Sequence, residues 1–360
     1  MFDILTYKKR FDANKVTVLE YGTNPYVVRM GSNNGQKGFI DEDIEYLNDG
    51  NTISFGQDTA TMYYQEKPYF TGDKIKIFKS RYERFSNKNA HFFIAMLNRT
   101  FSKFSWGSSS FNVNVIKSQP VHLPTKNGEM DFAFMEYFIS ELEQKRMQNL
   151  QAYLKATGLD NYNLTSEEEK VLNEFNKIQW GTFRMGDIFD KVKTKKLPYK
   201  AEELSKEPIG AYTLPCLTSS FKNQGLNYFA PREEATVIKN VISIPSNSDV
   251  YRAYFQSTDF TVLSDAYAIK WIFNDNDLTP NQYLFAVQAI NKVTDLPIYS
   301  YKNKLGGWNV VKEKYIQLPI NNNAPDLIIM DNLISAIKKL AIKDVVKFVE
   351  NKLKKTVHNN

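Results

Sequence analysis

Between Leu123 and Thr157 apolar residues recur at spacings of three and four. Met135, Phe138, Ile139, Leu142, Leu150, Tyr153 and Leu154 fall on one face of a helix. Gly158 follows, where a helix stop is expected. At about 1.5 Å per residue this rod would be roughly 40 Å long, more a spacer than part of a small core. A second stripe, Met330, Leu333, Ile334, Ile337, Leu340, Ala341, Val345 and Phe348, predicts a final helix over Asp326 to Lys355. Elsewhere short apolar segments alternate with polar turns, such as Gly31 to Gly38 and Leu47 to Gly50. That pattern predicts β-rich domains with a few helices rather than a parallel βαβ series.

The two stripes open on the same punctuation. Leu123-Pro124, Asn127, Asp131, Met135, Ile139 and Ser140 are echoed by Leu318-Pro319, the asparagines Asn321 to Asn323, Asp326, Met330, Ile334 and Ser335. A strand-ending proline, a polar turn and an aspartate N-cap stop a strand and start a helix. Seen twice in register, they indicate a duplication. Upstream echoes agree. Tyr26 to Met30 leads into Gly31 to Gly38, and Tyr212 to Leu214 leads into Leu217 to Gly225. Ile53-Ser54 runs to Tyr63-Tyr64-Gln65 and Phe70, as Ile242-Ser243 runs to Tyr254-Phe255-Gln256 and Phe260. Each half then has a helix-like run, Ala90 to Leu97 and Asn281 to Ile290. A Gly-aromatic loop follows, Phe104-Ser105-Trp106-Gly107 and Gly306-Gly307-Trp308.

The expected class is α+β, with two similar mixed, β-rich domains separated by two long helices. An apolar stripe needs a partner, so an antiparallel, coiled-coil-like pair with pseudo-two-fold symmetry is expected. Met135, Ile139, Leu142 and Leu150 would meet Met330, Leu333, Ile337 and Leu340 in the helix pair or a partner interface. The divisions are 1–122, a domain; 123–158, the central helix; 159–178, a linker with a short acidic helix; 179–318, the second domain; and 319–360, the final helix. The short helix starts at Thr165 or Ser166, and Ser166 and Glu169 stand at capping-box spacing.

Composition narrows the function. The 360 residues carry a net charge of +6, which permits a nucleic-acid partner without requiring one. The single cysteine, Cys216, excludes an internal disulfide and a multi-cysteine metal cluster, and it reads as a core residue of a reducing, bacterial-type cytoplasm. No apolar run is long enough to cross a membrane, and Met1 to Leu5 does not read as a signal peptide.

Enzyme motifs are missing. Gly31 to Gly38 has the wrong spacing for a phosphate loop. Asn24-Pro25-Tyr26 lacks the second proline of the Asn-Pro-Pro-Tyr methyltransferase motif and reads as a turn. His91, His122 and His358 lack metal-ligand spacing. Recognition chemistry remains. Base edges in the major groove are read by Asn, Gln, Arg, Lys, Ser and Thr, and phosphates by basic and hydroxyl groups. The first half offers Arg29, Ser32, Asn33, Asn34, Gln36, Lys37, Gln57, Thr59, Thr61 and Tyr63. The second offers Thr218, Ser219, Ser220, Lys222, Asn223, Gln224, Ser246, Asn247, Tyr251 and Arg252. Each has the plainer reading of a solvated loop residue. The lysines of the last helix, Lys338 to Lys355, read either as a solvated face or as phosphate contacts.

In its order of domain, spacer helix, domain, spacer helix, the chain resembles the specificity subunits of Type I restriction-modification systems and the similar subunits of Type IIB systems. Trp180 to Phe189 is similar to that family's domain opening, the segments ending at Phe70 and Phe260 to its middle, and the helix entries at Leu123 and Leu318 to its domain exit. The first domain departs from the pattern, since it begins at Phe2-Asp3-Ile4-Leu5 without the Trp segment. The resemblance implies two target-recognition domains, each reading half of a bipartite double-stranded DNA sequence. It implies that the helix pair sets the gap and docks two methyltransferase subunits, with S-adenosylmethionine, and ATP and Mg²⁺ in a Type I complex, on partner subunits. In a complete Type I system a motor-nuclease subunit joins. No cofactor and no catalytic residue is expected in this chain. The competing expectations are a scaffold protein and a metal-dependent nuclease with dispersed carboxylates.

Overall fold

The computed structural model describes residues 1–104 and 112–357. Ser105-Trp106-Gly107 of the first Gly-aromatic loop, and His358, lie outside the described residues. The chain divides into two compact units, Met1–Tyr153 with Val349–Asn360, and Leu154–Phe348.

In the first unit, strands β1 (Phe2–Thr6), β4 (Thr52–Gly56), β5 (Met62–Gln65) and β7 (Ile75–Ser80) form an antiparallel sheet in the order β1-β7-β4-β5. Helix α1 (Ala90–Thr100) buries Ala90, Phe93, Ile94 and Leu97, one face at helical spacing, in a core with Ile53, Phe55 and Phe78. Each such large side chain contributes about 1.5–3 kcal/mol on burial. A smaller sheet, β3-β2-β6, joins β2 (Pro25–Val27), β3 (Gln36–Phe39) and β6 (Phe70–Thr71). Short α2 (Val113–Ser118) and the hairpin of β8 (Thr125–Lys126) and β9 (Glu129–Met130) lead into α3 (Phe132–Ala156).

The second unit repeats the plan. Strands β11 (Phe189–Lys191), β14 (Val241–Pro245), β15 (Tyr254–Gln256) and β17 (Ala266–Trp271) stand in the order β11-β17-β14-β15. Strands β12 (Tyr212–Leu217), β13 (Leu226–Pro231) and β16 (Thr261–Val262) form β13-β12-β16. Both smaller sheets contain one parallel pairing, β2 with β6 and β12 with β16. Helix α6 (Pro280–Thr294) starts at a capping box of Thr279 and Gln282 with Pro280 in its first turn. A third sheet joins β10 (Trp180–Arg184), β18 (Tyr315–Asn321) and β19 (Ala324–Pro325). Between β10 and β11 lies the single turn α5 (Met185–Ile188); α7 (Trp308–Val311) precedes β18, and α8 (Leu327–Val357) follows β19.

The duplicated punctuation has a physical basis in each unit. Asn127-Gly128 and Asn322-Asn323 all have positive φ and close two-residue hairpins. Asp131 Oδ1 then accepts from the Phe134 N–H at 2.9 Å, and Asp326 Oδ1 from the Ile329 N–H at 3.0 Å, so both aspartates cap the expected helices.

The short acidic helix, α4 (Ser166–Asn173), starts one residue earlier than the Ser166 and Glu169 spacing suggests. Its capping box is Thr165 and Glu168. The reason lies in α8. Glu168, 3% exposed, accepts from Lys339 Nζ at 2.8 Å and Ser335 Oγ at 2.6 Å. Burial raises the Glu168 pKa, but these hydrogen bonds outweigh it and hold the carboxyl below its ordinary range.

Candidate nucleic-acid interface

The polar turn between β2 and β3 and its counterpart between β12 and β13 are built alike. Asn33, Asn34 and Gly35 have φ of 48°, 53° and 75°, and Asn223, Gln224 and Gly225 have 48°, 54° and 94°. Residues 31–40 and 221–230 pass through the same succession of exposed, half-buried and buried positions. Three consecutive left-handed residues need support, since each non-glycine there costs roughly 1–2 kcal/mol. A glutamine supplies it in each unit. Gln65 Nε2 donates to the Asn34 carbonyl at 3.1 Å and to Ser54 Oγ at 3.0 Å. Gln256 Nε2 donates to the Gln224 carbonyl at 3.1 Å and to Ser243 Oγ at 3.0 Å. Gln65 and Gln256 were not among the residues expected to read DNA. Their signal was the Tyr-aromatic-Gln triplet common to both halves.

Polar residues are exposed along both turns. Ser32, Asn33, Asn34 and Lys37 are exposed and Gln36 is half-buried; Lys222, Asn223 and Gln224 are exposed, with Ser219 and Ser220 half-buried beside them. The Asn33 side chain is turned inward on its own loop, donating to the Gln36 carbonyl at 2.8 Å, and Asn34 Nδ2 donates to the Tyr64 carbonyl at 3.0 Å. In the first unit a second group lies on the β4–β5 connection. Thr59 and Thr61 share a hydrogen bond of 3.0 Å, and Gln57, Thr61 and Tyr63 are half-buried. Arg29 reaches that connection, with Nη1 3.0 Å from Asp58 Oδ2, which also takes Lys74 Nζ at 2.9 Å. Arg29 is therefore held by a carboxylate that also neutralises it.

Several expectations are corrected. Tyr251 is 1% exposed within the second unit's core, so it cannot reach a base edge. It follows a polar stretch in sequence, but its ring packs against Tyr299 at 6.1 Å. Thr218 is also buried; its hydroxyl accepts from Asn227 Nδ2 at 2.9 Å and the Ser220 N–H at 3.3 Å, and so shapes the turn. Arg252 is exposed but paired with Asp295 at 2.6 Å. Ser246 and Asn247 are half-buried, and Asn247 Oδ1 has no hydrogen-bond partner among the described residues.

The helix residues divide in two. Met135 and Ile139 are buried, Met135 in the first unit's core, and Met330 and Leu333 lie in the second unit's core. They were expected in a helix-pair or partner interface. Instead the first turns of α3 and α8 lie on their own domains. Beyond the domain edge the same stripes emerge. Leu142, Ile337 and Leu340 are 40%, 48% and 46% exposed, and Leu150 is half-buried. The exposed faces also carry Phe134, Tyr137 and Phe138 on α3 and Val345 and Phe348 on α8. Lys352 Nζ, in the last turns of α8 that belong to the first unit, lies 3.8 Å from Glu143 Oε2 of α3.

Cys216 is fully buried and burial pushes its thiol up to about 12, which suits an inert core residue. Among the described residues no group of three His, Cys, Asp or Glu side chains could hold a metal ion, and no helix is long and apolar enough to cross a membrane.

The model of the Type I restriction modification DNA specificity domain matches residues 1–152 and again 177–347. The chain belongs to that family. Its two β-rich repeats are two specificity domains, and the chain is the DNA-specificity component of a restriction-modification system. Among curated proteins it is similar to the specificity subunit S.BcgI of a Type II restriction enzyme from Heyndrickxia coagulans. The identity is 24% over 334 residues, covering 92% of this chain and 90% of that one. Among solved structures it is similar to the Type I restriction-modification S subunit of M. genitalium, with a TM-score of 0.54 and 14% identity, over 98% of this chain and 90% of that one. That likeness supports the fold of two specificity domains.

Proposed function

We propose that each specificity domain reads one half of a bipartite double-stranded DNA target through its left-handed turn. The observation that carries this is the shared frame: in both units a glutamine holds three left-handed residues, and polar residues are exposed along both turns. Lys37 and Lys222 contact phosphates, and Ser32, Gln36, Asn223 and Gln224 reach toward base edges. The sequences of the two turns differ, so the two half-sites differ and the target is asymmetric. Helices α3 and α8 set the number of unread base pairs. At about 1.5 Å per residue, α3 runs for roughly 37 Å, close to the 34–36 Å of one DNA turn.

The exposed apolar faces of α3 and α8 dock two methyltransferase subunits, which bring S-adenosylmethionine; in a Type I assembly a motor-nuclease subunit adds ATP and Mg²⁺ chemistry. This chain contributes recognition and no catalytic group, and works in the cytoplasm. The test is methylation-motif mapping with the partner methyltransferase present. Replacing Asn223 and Gln224 together by Gly should relax one half of the motif and leave the other half and the gap unchanged. Relaxation of both halves, or of neither, would overturn the assignment of one turn to one half-site.

A further inference from the structure

Between α6 and α7 the second unit carries the segment Leu296-Pro297-Ile298-Tyr299-Ser300-Tyr301-Lys302-Asn303-Lys304, with two lysines and no carboxylate. It forms no helix or strand, yet its own hydrogen bonds brace it. The Tyr299 N–H donates to the Leu296 carbonyl at 2.9 Å and the Ser300 N–H to the Asn303 carbonyl at 3.0 Å. The Asn303 N–H donates to Ser300 Oγ at 3.1 Å, and Asn303 Nδ2 to the Ile298 carbonyl at 2.7 Å. A segment ordered in advance loses less conformational freedom when it binds.

Contacts link this loop to the left-handed turn of the same unit. The Tyr301 N–H donates to Asp249 Oδ1 at 2.9 Å, and the Tyr299 ring packs on Tyr251. Asp249 and Tyr251 belong to the β14–β15 connection. Asp295, just before the loop, holds Arg252 of that connection. Tyr254, two residues on, donates its hydroxyl to the Phe221 carbonyl at 3.0 Å, where the turn begins. Loop, connection and turn are thus joined contact by contact.

The charges along this path are not equivalent. Arg252 is neutralised by Asp295. Lys302 and Lys304 are exposed, and neither has an ion-pair partner among the described residues. Lys304 Nζ lies 4.8 Å from the centroid of the Tyr301 ring, itself 56% exposed, and this cation–π contact positions the ammonium. Unpaired cations on a braced loop suit phosphates, whose contacts fix register on a duplex and carry no sequence information. Leu296 and Ile298 are exposed too, at 37% and 66%, which makes protein contact the rival reading. The two free lysines and the path to the turn favour DNA.

We propose that Lys302 and Lys304 bind the phosphate backbone flanking the half-site read by the second domain. The proposal rests on the reading of DNA by the turn, and it adds a contact without base specificity.

The test uses the full chain with the methyltransferase, and duplex DNA carrying the motif that methylation mapping recovers. Lys302→Ala with Lys304→Ala should leave the motif and its gap unchanged. It should reduce the slope of log K against log salt by about 1.8, the equivalent of two phosphates. Hydroxyl-radical cleavage should show the sugars flanking the second half-site losing protection. Lys302→Arg with Lys304→Arg should keep both the slope and the protection, since the charge remains. A slope change below about 0.9, less than one phosphate, with the two-part motif retained would overturn the role of the loop alone. Loss of methyltransferase capture at an unchanged slope would overturn it in favour of protein contact. A wild-type chain that selects no motif would overturn the DNA reading, and this contact with it.

Discussion

Gly35 and Gly225 each close a run of three left-handed residues, with φ of 75° and 94°. An alanine at either position adopts a backbone that L-residues avoid, and a Cβ on Gly35 would also meet the Tyr63 ring at 3.1 Å. Gly35→Ala is expected to cost about 1–2 kcal/mol in urea unfolding and to weaken recognition of one half-site. Unchanged stability together with unchanged recognition would contradict the role assigned to this turn. Lys222→Ala should lower DNA affinity evenly across sequences and flatten the salt dependence, reducing the slope of log K against log salt by about 0.9. A change confined to one base position would instead make Lys222 a base reader. Tyr251→Phe should leave both the motif and the stability close to wild type, since the ring is buried and its hydroxyl has no hydrogen-bond partner among the described residues.

Among elements, α8 is tied to α4 by Glu168, whose carboxylate receives Lys339 and Ser335. Glu168→Gln leaves the Lys339 ammonium, 17% exposed, without its counter-charge. Removing one partner of a buried pair costs about 3–5 kcal/mol, and the lower end applies to this partly accessible lysine. The folded-state pKa of Glu168 lies below its ordinary 4.5. Its contribution is therefore full above that ordinary value and is lost as pH falls through the depressed one. Wild type should lose stability across that acidic window, and Glu168→Gln should lose less there. Parallel pH curves for the two proteins would show that the ion pair contributes nothing. On α3, Tyr137→Glu with Leu142→Glu should abolish capture of the methyltransferase while sparing the fold, because both side chains are exposed.

For the whole molecule, the duplication was legible because it is written in residues with fixed conformational roles. Asn127 and Asn322, Asp131 and Asp326, and Gly35 and Gly225 each answer a backbone requirement that few residue types meet. The long helices were legible from periodicity, but the partition of their stripes was not. Met135 and Leu142 look equivalent in a heptad, and only the position of the domain edge makes one core and the other surface. The burial of Tyr251 and Thr218 was hidden for a similar reason: polar neighbours in sequence do not reveal which way a loop turns. Gln65 and Gln256 were legible as part of the repeat but not as site residues, because a residue that supports a turn need not sit in it.

Two domains on one chain are proposed to read two half-sites at a set distance. Selection from a random duplex DNA library near physiological salt, with the methyltransferase present, tests it most directly. A two-part, asymmetric motif with a constant unread gap is expected, and a four-residue insertion after Gln148 should change the gap and leave both halves intact. A single contiguous motif, or a gap unmoved by the insertion, would contradict it.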